Sequence, residues 1–292
     1  MNSMNTRVAM HIERRLKSRL SCLLLFISVF SVSFPANAAL LVTPSRVVFE
    51  DRNRSEQVTV TNKGDELTTY RISFVRKKMT EDGKFVPVGK DEEGMFSDEM
   101  VRYSPRQINL APGQSQVVRL LLRKPRGLAD GEYRSHLLMQ ALPKVTESDI
   151  SKAVEKGADA ISVEITTVIG ISIPVIVRHG KLDNEVSLSN AKYVQSSDAK
   201  KKSFVSLDMN RTGKRSTYGD FRVSYINEAG DSAVIAIVKG IAVYADNPVR
   251  NIEIPVNTTD GRYYTKGRFH ITFSESGKDE KSGLIASIDL PL

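Results

Sequence analysis

Cysteine is almost absent from this chain of 292 residues: there is one, Cys22, and tryptophan is missing altogether. A single thiol excludes a disulfide framework and any thiolate-rich metal site. The four histidines (one of them, His11, near the start) stand apart, and none of His136, His179 and His270 has an acid or a second histidine at ligand spacing. No metal site is expected. Nucleophile elbows are missing as well, since Gly170-Ile171-Ser172 lacks the closing glycine. Thr212-Gly213-Lys214 has the ending of a phosphate-binding loop, but Asp208 stands at its first glycine and Arg215 at its Ser/Thr. No catalytic constellation and no cofactor-binding motif remain. The reading is therefore not an enzyme, with no cofactor.

Long apolar runs are scarce too. The longest is Leu20 to Phe34, which follows Arg14, Arg15, Lys17 and Arg19 and precedes Ala36-Asn37-Ala38. A basic region, a short apolar core and a small-x-small site make residues 1–38 a cleaved signal peptide, too short to span a bilayer. Cys22 lies at the start of the apolar core rather than after it, which argues against a lipid anchor. Cleavage would remove the cysteine, five basic residues and one acid, so the formal charge falls from +8 to +4. No basic stripe interleaved with aromatics is left, and no nucleic-acid partner is expected. The expected product is exported, without stable membrane insertion, and held by its apolar cores alone.

What the rest of the chain does have is alternation. Strand signals fall near 40–50, 56–62, 68–79, 101–110, 115–123, 132–142 and 161–178, punctuated by Asn62-Lys63-Gly64, Glu81-Asp82-Gly83, Ala111-Pro112-Gly113 and Asp130-Gly131. A second set falls near 184–193, 203–210, 219–226, 232–245, 250–256, 267–274 and 283–290. Short strands without helical periodicity argue for an immunoglobulin-like β-sandwich over 39–179 and a second, smaller β-sandwich over 180–292, joined at Arg178-His179-Gly180-Lys181. Asp130-Gly131-Glu132-Tyr133 is placed like a tyrosine corner, with the hydroxyl bonding back to the preceding turn. Lys200-Lys201-Lys202 falls between strands and reads as a solvated loop.

One stretch breaks the usual length. From Ile161 to Val177 every odd position except Thr167 is Ile or Val, over 17 residues. A typical strand has about 5–6 residues. Such a strand either threads a large sheet, bends between two sheets, or keeps part of its apolar face for something outside its own domain.

Three segments carry a family resemblance. Thr43-Pro44-Ser45-Arg46-Val47-Val48-Phe49, the run from Ser104 to Arg119 (SPRQINLAPGQSQVVR), and the run from Glu132 to Pro143 (EYRSHLLMQALP) resemble, in order and spacing, the periplasmic chaperones of chaperone–usher pilus assembly. The resemblance covers Ala39 to Arg178; the second half matches in size and all-β character. It implies two immunoglobulin-like domains meeting at an angle, location in the periplasm, and partners that are pilus or fimbrial subunits and an outer-membrane usher. It also implies that the long strand is lent to an incomplete subunit, a donor-strand complementation in which Ile161, Val163, Ile165, Thr167 and Ile169 fill the subunit core. The family holds the subunit's terminal carboxylate with two cations. Arg46 matches the first; Pro174 stands at the place of the second, a lysine, and Arg178 is the nearest cation. The runner-up is an exported two-sandwich surface or adhesion protein whose long strand is ordinary core.

Overall fold

The computed structural model describes residues 40–143, 168–196, 202–256, 264–278 and 280–292. The signal-peptide reading, and with it residues 1–38, lies outside them. Among the described residues the chain is all-β, apart from one helical turn, α1 (Glu280–Gly283). No helix there is long and apolar enough to cross a membrane.

The first eleven strands are β1 (Leu40–Thr43), β2 (Val47–Phe49), β3 (Ser55–Asn62), β4 (Thr68–Val75), β5 (Lys77–Met79), β6 (Phe85–Pro87), β7 (Val101–Ser104), β8 (Gln107–Leu110), β9 (Ser115–Leu122), β10 (Gly131–Ala141) and β11 (Gly170–His179). They build a sandwich of two sheets, ordered β1-β3-β9-β7 and β2-β11-β10-β4-β8, with β5 and β6 as a separate hairpin. Three segments that read as single strands, 40–50, 68–79 and 101–110, are split, the middle one into β4 and β5. Pro44 and Pro105 lack the N–H a ladder needs, and at each the chain crosses from one sheet to the other. Thus β1 pairs with β3 while β2 pairs with β11, and β7 pairs with β9 while β8 pairs with β4.

Period-two burial follows. On β9, Val118, Leu120 and Leu122 are buried between exposed Arg119 and Leu121. These side chains meet Phe49, Ile72, Leu110, Leu137, Met139, Val175 and Val177 in one core. Each contributes about 1.5–3 kcal/mol when fully buried. Tyr133 donates a 2.9 Å hydrogen bond to the Ala129 carbonyl, which is the corner the sequence suggested.

The second sandwich comprises β12 (Asn184–Val194), β13 (Phe204–Gly213), β14 (Thr217–Ile226), β15 (Ser232–Val243), β16 (Val249–Pro255), β17 (Arg268–Glu275) and β18 (Leu284–Pro291). Its sheets are β12-β13-β16 and β15-β14-β17-β18, closed over Phe221, Phe269, Phe273, Met209 and Ile254. At the end of β11 the chain turns through Gly180, at φ 76°, where a Cβ would lie 2.0 Å from the Asp130 carboxylate. Only glycine fits that turn.

The two sandwiches touch through a small apolar cluster: Ile176 of β11, Ala242 and Tyr244, with Val48, Met79 and Tyr218 packed against it. This explains why β10 is buried on both faces. Its odd-numbered Tyr133, Leu137 and Met139 enter the first core, while the even-numbered Glu132, Arg134 and His136 are also buried on the opposite face. The β5–β6 hairpin spans the same boundary. Asn251 N–H donates to the Glu81 carbonyl (2.7 Å) and Asn247 Nδ2 to that of Thr80 (3.2 Å).

Candidate strand-docking edge

Strand β11 has two unequal sides. Along one it pairs with β10 over its whole length; along the other β2 covers it only at Val175, Ile176 and Val177. From Gly170 to Pro174 that second side has no strand beside it among the described residues. Unpaired N–H and C=O groups on a sheet edge are a template for another strand, and Pro174 marks the point where the donor row is interrupted.

Its apolar face grades from core to open. Val177, Val175 and Ile173 are buried in the first core and Ile171 partly so, whereas Ile169, one residue ahead of the strand, is 66% exposed. Of the donor-face residues Ile161, Val163, Ile165, Thr167 and Ile169, only Ile169 falls among the described residues.

The even-numbered face carries polar groups. Lys77 Nζ donates a 2.8 Å hydrogen bond to Ser172 Oγ. His136, opposite Pro174 in register, packs edge-on to Phe85 at 4.9 Å. Burial, and then the charges of Arg134 and Lys77, push its pKa down to about 3, so the imidazole is neutral.

Arg46 immediately precedes β2. Because β2 runs parallel to β11 and starts opposite Val175, Arg46 stands where the open edge ends. Its guanidinium lies 4.1 Å from the centroid of the Tyr218 ring, a cation–π contact. It makes no ion pair or side-chain hydrogen bond among the described residues, although the Glu132 carboxylate is near enough to act on its charge. Burial lowers its pKa, with the nearby Arg178 charge adding to that and Tyr244 opposing it. Arg46, Arg178, Arg215, Glu50, Thr217 and Tyr218 line one cleft of about 490 Å³ between the sandwiches.

Arg178 sits in the same cleft with its charge already balanced. It is opposite Glu132 in register, and its Nε donates to Glu132 Oε2 at 3.0 Å. Its Nη1 donates to Glu50 Oε1 and Oε2 at 3.2 and 3.1 Å. Glu132 Oε2 also accepts the Ser216 N–H at 3.1 Å, and Arg215 reaches Glu50 at 3.5 Å. The network therefore ties β10 and β11 to the turn between β13 and β14 of the second sandwich. The structure brings Arg46 and Arg178 together, one without and one with an internal ion pair.

Reading the sequence missed Lys77, Glu132 and Tyr218 as members of this site. Glu132 alone gave a signal: an acid amid strand-forming residues beside the corner tyrosine. Among the described residues no group of histidines, cysteines or acids could hold a metal ion.

This chain is similar to pilus-assembly chaperones. The YadV chaperone is 13% identical, with a TM-score of 0.43, over 87% of this chain and 100% of that one. A chain of the CsuC–CsuE chaperone–tip adhesion subunit pre-assembly complex, from archaic chaperone–usher Csu pili of Acinetobacter baumannii, is 12% identical with a TM-score of 0.43, over 86% and 98%. A chain of the SafA pilin–SafB chaperone complex of Salmonella enterica is 14% identical with a TM-score of 0.38, over 87% and 96%. No family model matches the chain, and no curated protein matches it significantly.

Proposed function

We propose that the protein is a non-enzymatic periplasmic chaperone that captures pilus or fimbrial subunits by donor-strand complementation and delivers them to an outer-membrane usher. In this reading residues 1–38 are removed on export, 39–179 form the subunit-binding domain and 180–292 the second domain that walls the cleft. The supporting observation is the open edge of β11 that ends at Arg46. A strand added there in line with β2 runs parallel to β11, so its C-terminus points at Arg46.

The chemistry follows from that polarity. Main-chain hydrogen bonds along the edge give affinity, and alternating side chains fill pockets. The odd face from Ile161 to Ile169 would enter a subunit core that lacks a strand; at about 1.5–3 kcal/mol per buried Ile or Val, it can offset the ordering and association costs. The terminal carboxylate would pair with Arg46, which makes no ion pair of its own among the described residues. Arg178 enters second, because its Nη1 must exchange Glu50 for the incoming group. Glu50, 43% exposed at its side chain, is the partner that can leave.

The runner-up, a surface or adhesion protein with an ordinary core strand, is disfavoured by the same edge: a core strand has no use for an open side beside exposed Ile169. Co-expression with a pilus subunit tests the choice. Ile165→Asp places a charge in the subunit core at a cost of several kcal/mol, so co-purification should be lost while the variant's circular dichroism and melting stay those of the parent. Capture by the variant at parental strength, or collapse of its fold, returns the strand to ordinary core.

A further inference from the structure

Lys77 opens β5 and lays its ammonium against the strand whose edge is open. Its hydrogen-bond acceptor there is neutral, the Ser172 hydroxyl at 2.8 Å. The cations around it are matched otherwise: Arg76 holds Asp98 and Glu99, Lys78 lies 3.7 Å from Glu92, and Arg134 holds Asp246 at 2.9 Å. Lys77 has no carboxylate among the described residues, although it is half-buried. Its charge is close enough to His136 to help keep that ring neutral.

A strand docked on Gly170–Pro174 changes the surroundings of this ammonium. In a ladder the residue directly opposite Ser172 projects its side chain to the same face as Ser172. Because Arg46 closes the edge opposite Pro174, that residue falls within about two positions of the added strand's C-terminus. Its side chain meets Lys77 as docking removes water, and a desolvated cation without a counter-charge is strongly unfavourable.

We propose that Lys77 is a specificity-determining residue, which selects subunits whose last strand carries Asp or Glu one or two positions before the terminus. The inference rests on the chaperone reading above and adds a second charge contact, separate from the terminal carboxylate at Arg46.

The test uses the mature full-length chain and a co-expressed pilus subunit without its N-terminal segment, with its penultimate or antepenultimate residue set to Glu, Gln or Lys. Parental chain should bind the better Glu subunit about 30-fold or more tightly than its Gln counterpart, the factor expected for a desolvated pair. Lys77→Met should level the two, Lys77→Arg should keep the preference, and Lys77→Glu should transfer it to the Lys subunit. Melting of each free variant and its retained binding of the Gln subunit control for folding. Equal binding of Glu and Gln subunits by parental chain, or a Lys77→Met loss that vanishes when the subunit terminus is a carboxamide, overturns the assignment. If parental chain captures subunits and only the Lys77 series is flat, this inference fails alone. If parental chain captures none, the functional reading fails first.

Discussion

Removing Arg178 should destabilise the protein by taking the ion-pair partner from a buried carboxylate. The Glu132 side chain is 1% exposed and keeps, besides Arg178, only the Ser216 N–H. Arg178→Met preserves most of the apolar stem but removes the cation paired with that carboxylate; Arg46 and Arg211 still act on it from farther away, so the loss should fall at or below the low end of the roughly 3–5 kcal/mol typical of a broken buried pair. Arg178→Met should therefore cost about 2–3 kcal/mol at pH 7. The exposed Glu50 adds little, being screened by solvent. Glu132→Gln combined with Arg178→Met removes the charge problem, and should recover part of the loss at pH 7. With no tryptophan in the chain, urea unfolding is best followed by circular dichroism near 218 nm. A loss under about 1 kcal/mol at pH 7, or no recovery when Glu132→Gln is added, would refute the account of Arg178 as the ion-pair partner of buried Glu132.

Other consequences follow from single side chains. His136, 2% exposed, has its pKa depressed to about 3; the unfolded chain therefore binds the extra proton first, and stability, complete above pH 6.5, should fall by up to about 1.4 kcal/mol per unit as pH drops toward 3. The slope between pH 6.5 and 5 should flatten in His136→Leu, read by urea midpoints. Arg211 is buried and donates to the carbonyls of Tyr244, Asn247, Thr212, Gly213, Arg215 and Ala245. Lysine has three donors in a different geometry, so Arg211→Lys should cost about 2–4 kcal/mol at roughly 1 kcal/mol per lost bond, seen as a lower melting temperature. Arg46→Ala should weaken subunit capture by about 2–5 kcal/mol and change stability by only about 0.5–1 kcal/mol, the value of its contact with Tyr218.

Much of the sandwich was readable because its strands alternate. β9 and β13 appear almost where the pattern put them, and the corner tyrosine makes its expected bond. The β5–β6 hairpin was not readable: its three-residue strands are too short for a period to register, and its role depends on Asn247 and Asn251, more than 160 residues on. Prolines 44 and 105 were visible, but that the chain changes sheet at each follows only from which strands pair. Arg46 could be singled out as a cation within an apolar strand. Its lack of an ion pair, and the balance of charge on Arg178, depend on how Glu50, Glu132 and Tyr218 converge from separate parts of the chain. Even-numbered Ile176, off the alternating apolar face, packs against the second sandwich.

The central claim is that a subunit strand docks parallel to β11 on the edge from Gly170 to Pro174. Hydrogen–deuterium exchange of the mature chain, alone and bound to a co-expressed pilus subunit, tests it most directly. The account predicts that the Gly170 and Ser172 amides, which face the open edge, become protected in the complex, with those of Ile171 and Ile173, already bonded to β10, and of Val175–Val177 little changed. A tight complex in which the Gly170 and Ser172 amides exchange at the free rate would contradict it.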